Sequence, residues 1–405
     1  MAIKAGELIH VGNMVLLDRL QTAGPGQLNI PTEKIYELGN YESIATVRDT
    51  PELTFTGESF DVSAELEAML TGGDFDADAA GTEYDIATAK VQDLVSQFKA
   101  GRDAPEPFDV VASVAMPYLY LESLSYNFGI QDNASQSFTL RGDSIFYSGG
   151  SAYVEDFEGT DTANQVLELA NEAQAYNGDT TAGVRYALSV CLVESQERLV
   201  PGVDYTEDVN LGTTEITILE ATTDTVRVVY QSDVVAQYPS PSHAAVSATR
   251  PAAIKGRDIE VRVGGTAITD RWSSIQNITV DWRAQLEPDE ELGNQQVVSM
   301  DFDVPEVDGT VEIRPRNAQE LIARIHEISG VSAGEVVGAY QSVVLPITIL
   351  LHSPDDGAVL KTLEIEDARF TLPGYSGQVE QKLNVTIPFE SEGGNLKVYK
   401  GEKVV

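Results

Sequence analysis

Apolar and polar residues alternate along many short runs of the chain, and Gly, Pro and Asn residues separate these runs. A period of two residues is typical of strands that bury one face and expose the other. In one such run Glu364 and Glu366 fall on one face, while Leu363 and Ile365 fall on the opposite face. The pattern predicts strands at Leu119–Tyr126, Ser135–Arg141, Tyr186–Val193, Thr214–Leu219, Thr225–Tyr230, Leu363–Phe370 and Gln381–Pro388. The fold is therefore predicted to be mainly β (α+β).

Three segments instead show apolar residues at the three- and four-residue spacing of an amphipathic helix. The first runs from Thr82 to Gly101, with a capping box of Thr82 and Asp85. The second covers Thr162–Tyr176, and the third begins after Asn317 and ends at Gly330. Each ends at a residue type that commonly stops a helix. We therefore expect one helix in each half of the chain and one between them.

Short patterns of the first half recur in the second half at a nearly constant distance. The block Glu37–Asn40, followed after ten residues by Pro51-Glu52, recurs 254 residues later as Glu291–Asn294 and Pro305-Glu306. Such spacing indicates an internal duplication. It predicts domains at 1–155 and 250–405, separated by a module at 156–249 that ends in a Pro/Ser/Ala-rich linker. The predicted equivalent positions are Gly39 with Gly293, Asn40 with Asn294, and Pro51 with Pro305.

Charge adds a second constraint, because 64 acidic residues face 26 basic ones and the formal net charge is −38. The acids are spread over the whole chain, and only 10 of the basic residues are Lys. Such a surface repels itself in dilute salt, but in molar salt the Debye length falls to about 3 Å. The composition favours a protein of a high-salt cell interior, with an ordinary acidic surface as the alternative. It argues against DNA binding by phosphate neutralisation.

Residue patterns that carry catalysis or bind cofactors are not found in the sequence. The four histidines are widely separated, and neither a phosphate-binding glycine loop nor a nucleophile elbow occurs. Asp74, Asp76 and Asp78 alternate like the start of a calcium loop, but Ala79 replaces the glycine that the turn needs. Cys191 lies in an apolar run and is interpreted as a buried thiol. We expect no enzyme activity, no cofactor and no metal, and a flexible acidic loop at 71–81.

Two blocks of the sequence resemble a known family. Glu37–Asn40 with the following Pro51-Glu52, and the run Met116–Glu122, are similar to the major tail proteins (tail-tube proteins) of long-tailed phages. The resemblance covers about residues 1–155 and 250–405 and leaves out the middle. It implies two β-sandwich or barrel domains, each with a flanking helix, that close into six-membered rings. Stacked rings would form a tube that conducts DNA.

The resemblance also implies a location and partners. The protein would belong to the tail of a virion, be assembled in the cytoplasm of a halophilic host, and contact itself and other tail proteins. Genomic DNA would pass through the tube without specific binding, and no membrane would be involved. Since the usual family member has one tube domain and this chain has two, three chains would fill six places, with the middle module projecting outward.

Acidic residues on alternating strands are the candidates for the wall of such a tube. Asp301, Asp303, Glu364 and Glu366, with Glu122 in the matching strand of the first copy, are predicted to face the lumen. The alternative is that they face outer solvent. Phe302 and Val304 would pack inward. The competing functions are a secreted or surface adhesin built of β modules, and another virion component such as a sheath or baseplate protein. The adhesin would require a signal peptide and an anchor, and neither pattern is visible.

Overall fold

The computed structural model describes residues 8–13, 15–17, 20–26, 28–35, 45–48, 51–101, 109–177, 184–210, 213–234, 253–265, 271–272, 274–289, 297–338, 341–376 and 383–403. The named strands pair antiparallel throughout, and 17 of them form one hydrogen-bonded network. Two α-helices lie in this described part of the chain. The predicted mainly β class is confirmed.

The N-terminal half contains eleven described strands and builds two layers. The strands are β1 Leu8–Gly12, β2 Val15–Leu16, β3 Leu20–Pro25, β4 Thr32–Ile35, β5 Ala45–Arg48, β6 Leu53–Phe60, β7 Glu83–Asp85, β8 Gln92–Lys99, β9 Val110–Gly129, β10 Ser135–Gly142 and β11 Phe146–Ser148. One layer has the order β3-β6-β10-β9, and the other has the order β2-β1-β8-β9-β11. The long β9 belongs to both layers and changes from one to the other near Tyr118, whose φ is 61°. His10 of one layer packs edge-on against Phe55 of the other, so the two layers share a core.

The C-terminal half repeats this arrangement, although β2 and β7 have no counterpart among its described strands. Its strands are β20 Ile259–Val263, β21 Ile275–Arg283, β22 Leu286–Asp289, β23 Ser299–Phe302, β24 Glu306–Ile313, β25 Val344–His352, β26 Val359–Phe370, β27 Gly374–Ser376, β28 Asn384–Ser391 and β29 Lys397–Lys400. The pairs β20–β25, β25–β26, β26–β29, β28–β24 and β24–β21 correspond to β1–β8, β8–β9, β9–β11, β10–β6 and β6–β3. Strands β26 and β27 together take the place of β9. The pairing Thr32 with Arg48 recurs as Leu286 with Phe302, which is a shift of 254 residues. The two halves therefore share one strand order.

Each half also has one helix after the equivalent strand, but only one of the two was located from sequence. Helix α2, Ala318–Ser329, begins after Asn317, whose side chain accepts a hydrogen bond from the Glu320 amide, and ends at the left-handed Gly330. This prediction is confirmed. In the first half the helix is α1, Glu65–Thr71, which ends at the left-handed Gly72.

The helix predicted between Thr82 and Gly101 is wrong. That segment forms β7, a short 3-10 turn at Ile86–Thr88, and β8. Six consecutive residues of β8, from Gln92 to Gln97, are buried, because the strand packs on both of its faces. A strand buried on both faces loses the two-residue alternation, and its apolar residues then imitate helical spacing.

The middle module has its own core between two three-stranded sheets. Its strands are β12 Ser151–Phe157, β13 Gln165–Glu168, β14 Tyr176–Asn177, β15 Val184–Arg185, β16 Ala187–Leu192, β17 Tyr205–Asn210, β18 Thr213–Ile218 and β19 Val226–Ser232. The helix predicted at Thr162–Tyr176 is wrong, because that segment contains β13, which pairs with β18. Since β12 pairs with β19, the module begins at Ser151 rather than at residue 156.

Candidate functional site

The two halves of the chain join edge to edge into one continuous sheet. The outer edge of β9 pairs with β21, from Ser123 opposite Arg283 to Gly129 opposite Asn277. The resulting strand order is β3-β6-β10-β9-β21-β24-β28-β27, with the end of β26 beside β28. The contact is head to tail, because β9 of the first half meets β21, the counterpart of β3 rather than of β9. We call this eight-stranded surface the joint sheet.

Strict alternation makes one face of the joint sheet apolar and the other polar. In β6, Leu53 and Phe55 are buried in the core, while Thr54, Thr56 and Glu58 are exposed. In β24 the buried residues Val307, Val311 and Ile313 alternate with Glu306, Asp308, Thr310 and Glu312. The apolar face belongs to the main core of the molecule. On the opposite face, which we call the polar face, the described side chains are exposed or half-buried.

A row of polar side chains crosses the polar face from one half to the other. The strand registers place Glu58 opposite Ser137, Ser137 opposite Ser125, and Ser125 opposite Asp281. The row continues through Asp308 to Glu390, so three carboxylates stand directly opposite one another in the C-terminal half. Partial burial raises the pKa of Asp308, and the carboxylates on either side of it add to the rise. Like charges in such positions destabilise a sheet, and salt screens the effect.

Positive charges among the described residues of the polar face are few. Arg314, just after β24, donates to the amide oxygen of Asn384, and the other three arginines lie close to carboxylates. Arg141 lies 3.0 Å from Glu52, and Arg283 lies 3.4 Å from Asp308. Arg369 pairs with Glu392. The eight described strands of the joint sheet contain no lysine. The polar face therefore offers hydroxyl, amide and carboxylate groups, and little free positive charge that could hold phosphates.

The acids predicted for the tube wall do not form this row. Glu364 was expected to face the lumen, but it is 3% exposed. It accepts hydrogen bonds from Lys403 at 2.7 Å and from Tyr399 at 3.0 Å. Glu366 is exposed and lies 3.4 Å from Lys397, outside the paired rows of the joint sheet. Glu122 is half-buried at the β-bulge of β9, next to the polar face.

The remaining predicted wall residues lie on the β22–β23 hairpin. Asp301 belongs to β23, opposite Glu287, and its side chain is outside the described part of the structure. Asp303 is exposed just after that strand. Val304, expected to pack inward, is 77% exposed, because β23 pairs only with β22 and not with the joint sheet. Inward packing is therefore wrong for Val304, whereas Met300, on the same face of β23, is buried in the main core.

The acids of the row were missed although a signal for some of them was present in the sequence. The runs Leu53–Phe60 and Glu306–Ile313 alternate without interruption, and this alternation marks Glu58 and Asp308 as residues of a polar face. Their alignment into a row depends on pairings between distant strands. Of the repeat anchors, Pro51 and Pro305 stand just before β6 and β24, at equivalent positions. Gly39, Asn40, Gly293 and Asn294 lie outside the described residues.

A buried ionic cluster links the two halves beneath the joint sheet. Lys361 of β26 lies 2.8 Å from Asp61 and 2.5 Å from Glu67 of α1, and its Nζ lies 4.7 Å from the ring centre of Tyr126. Lys361, Asp61 and Glu67 are fully buried. Burial raises the pKa of Asp61 to about 6, with a further contribution from Glu67, against the lowering effect of Lys361. Burial alone would lower the pKa of Lys361, but the two carboxylates raise it.

The middle module packs on the side of the molecule away from the polar face. In β8 and β9, Leu94 and Met116 point into the main core, whereas Val95 and Ala115 pack against the module residues Ala152, Leu188 and Val229. A buried ion pair fixes the module in place, with Arg198 2.7 Å from Asp143. The main core therefore separates the module from the polar face.

Candidate groups for other chemistry are engaged in local contacts. Asp74 accepts hydrogen bonds from the amides of Asp76 and Ala77, and Asp78 accepts one from Tyr84. Among the described residues, no three His, Cys, Asp or Glu side chains lie close enough together to hold a metal ion. Burial raises the pKa of the Cys191 thiol well above its usual range. Within the same residues, no helix is long and apolar enough to cross a membrane.

Comparison with known proteins adds no identification, since no family model matches the chain and no curated protein is significantly similar to it.

Proposed function

We propose that the protein is a structural subunit of a viral tail tube, which assembles head to tail into rings around a DNA channel. The observation that carries this proposal is the junction of the two halves. Strand β9 meets β21, and the counterparts of these two edges remain at the ends of the joint sheet. In the described residues, β3 pairs only with β6 and β27 pairs only with β28.

Unpaired strand edges of this kind favour pairing with another chain. A head-to-tail contact between identical units either closes into a ring or grows as an open fibre. If the contact between copies repeats the one between the halves, each chain fills two neighbouring places. Three chains would then complete the six places that the resemblance to tail-tube proteins implies.

The polar face is the best candidate for the wall of the channel. The acidic residues of this wall would then be Glu58, Asp281, Asp308 and Glu390, in place of those expected from the sequence alone. A wall of hydroxyls and carboxylates would let DNA slide, because each phosphate held by a cation would slow its passage. The module packs on the opposite side, and would therefore lie on the outside of the ring, once per chain.

The acidic composition supports assembly in a high-salt cytoplasm. The formal charge of −38 would oppose the packing of several copies in dilute salt. At molar salt the repulsion acts over only about 3 Å, and edge pairing can then dominate.

Electron microscopy of the purified chain tests the proposal. Samples in 2 M and 0.1 M KCl are imaged by negative stain, and symmetry is analysed in end views. We expect rings or short tubes in 2 M KCl, with three outer projections around a wall of six similar units. A chain that stays monomeric at both salt concentrations, or rings of six chains, would contradict the proposal.

A further inference from the structure

A second strand edge joins the two halves, in the layer behind the joint sheet. Strand β7 of the first half adds to β29 of the second half, with Tyr84 opposite Val398 and Glu83 opposite Tyr399. The Gly81 amide donates to the Lys400 carbonyl at 2.6 Å and extends the contact. Tyr84, Val398 and Tyr399 are all nearly fully buried. The first half thus supplies a strand to the sheet of the second half.

The counterpart of β29 in the first half is β11, and its outer edge is open. Strand β11 pairs only with β9 among the described strands, as β29 would pair only with β26 if β7 were removed. Tyr147, at the centre of β11, takes the place that Val398 has in β29, because the cross-strand series Tyr147, Val114, Ser96 corresponds to the series Val398, Leu363, Ile349. Val398 is fully buried, whereas Tyr147 is 71% exposed. A large aromatic side chain therefore stands in solvent where its counterpart is covered.

The counterpart of β7 in the second half can be located from a backbone hydrogen bond that occurs at the equivalent place in each half. The Lys90 amide donates to the Leu70 carbonyl, and the Val343 amide donates to the Ile328 carbonyl in the same way. This bond aligns residue 90 with residue 343, so β7 aligns with the segment 336–338. That segment, Val336-Val337-Gly338, pairs with no strand in the described structure, and Val336 is 91% exposed.

The helices that precede these two segments also differ in burial, since α1 before β7 is more buried than α2 before residues 336–338. Five of the seven residues of α1 are buried, and one of them, Glu67, contacts Lys361 of the other half. In α2 only Ile328 and Ser329 are buried. Ile322 is half exposed, at the edge of an apolar cavity of about 680 Å³ between α2 and the 336–338 segment. The second half therefore presents an uncovered version of the surface that the first half buries within the chain.

We propose that a second copy of this chain covers that surface. Residues 336–338 of one copy add as an antiparallel strand to β11 of the next copy, with Val337 opposite Tyr147. Strand addition of this type satisfies the free backbone groups of both edges. The proposal rests on the side-by-side assembly proposed above and names a second contact within it, in the layer behind the channel wall.

Disulfide cross-linking between copies tests the register. Two single variants, Tyr147→Cys and Val337→Cys, are mixed in 2 M KCl and treated with copper phenanthroline. Opposed residues in antiparallel strands have Cβ atoms about 5 Å apart, which is near the reach of a disulfide. We expect a cross-linked dimer on a non-reducing gel from the mixture, and at least tenfold less from either variant alone. Native Cys191 is buried and should stay unreacted.

The matched control replaces Tyr147→Cys by Val166→Cys, at a half-exposed apolar position of the middle module. That mixture should give no more dimer than the single variants. Tyr147→Asp should also weaken assembly at least tenfold, whereas Val166→Asp should leave it unchanged.

The outcomes separate this contact from the proposed function. Rings that form without the 147–337 cross-link, or that tolerate Tyr147→Asp, overturn the contact and leave the tube subunit standing. A specific cross-link in open fibres without a central channel supports the contact and refutes the tube. A chain that remains monomeric refutes both.

Discussion

Replacing Lys361 with methionine should destabilise the protein more than the loss of any ion pair on its surface. The change would leave Asp61 and Glu67 buried side by side, without the cation that lies 2.8 Å and 2.5 Å from them. Methionine resembles lysine in length but neutralises neither carboxylate. Breaking a buried ion pair by removing one partner costs about 3–5 kcal/mol. We expect a loss of that size in the free energy of unfolding of Lys361→Met, measured by urea titration at pH 8.

The pH dependence of this loss follows from the raised pKa of Asp61. Its folded pKa of about 6 lies above the ordinary value of 3.8, so the folded state binds the proton more tightly between those two values. This group therefore favours folding at low pH, and its contribution is lost as pH rises from about 4 to about 6. Without Lys361 the penalty for ionised carboxylates grows, so the variant should lose less stability at pH 5 than at pH 8.

Two comparisons make the test decisive. Lys397→Met removes a partly exposed lysine that lies 3.5 Å from Glu83 and 3.4 Å from Glu366, and it should cost less than about 1 kcal/mol. Adding Asp61→Asn and Glu67→Gln to Lys361→Met should recover most of the loss. If Lys361→Met costs no more than Lys397→Met, or if neutralising the two carboxylates recovers nothing, the reasoning is refuted.

Three further predictions concern salt, helix capping and pH. Asp308→Asn should raise the free energy of unfolding by about 0.5 kcal/mol in 0.1 M KCl and leave it unchanged in 2 M KCl, because it removes one charge from a row of facing carboxylates. The matched control is Glu58→Gln, since Glu58 faces hydroxyl groups. Equal effects of the two variants would argue against repulsion within the row. Asn317→Ala should cost about 1 kcal/mol by removing the cap of α2, as seen by urea titration, while Asn317→Ser should retain most of the stability. Burial lowers the pKa of His10 to about 4, so its contribution to stability is present above about pH 6.5 and lost as pH falls toward 4. His10→Gln should flatten the dependence of the unfolding free energy on pH in that window. An unchanged dependence would contradict a buried neutral His10.

Local signals in the sequence were enough for several elements. Asn317 and Gly330 mark the ends of α2 by their own cap geometry, and clean alternation marked the strands around Ser135–Arg141 and Leu363–Phe370. The repeat also indicated that distant segments would share one strand order. These features depend on a few neighbouring residues or on a comparison within the chain.

Features that depend on tertiary packing were not predicted correctly. The middle module buries Val95, so β8 carries apolar residues on both faces and its sequence imitates the spacing of a helix. Glu364 alternates like a surface residue, yet Lys403 and Tyr399 cover it from outside its own strand. The row through Asp281 and Asp308 exists only because β21 pairs with both β24 and β9. No pattern within a single segment contains that information.

The pairing of β9 with β21 also gives the folding of this chain a time scale. Strand β9 is complete at Gly129, but β21 ends at Arg283, roughly 150 residues later. Ribosomes add about 5–20 residues per second, so the edge of β9 waits about 8–30 s for its partner. During that interval the β3 edge of another unfinished chain offers a counterpart of β21. Crowded ribosomes translating one message would bring such edges together, so the speed of synthesis between these two strands should influence how many chains pair with themselves rather than with a neighbour.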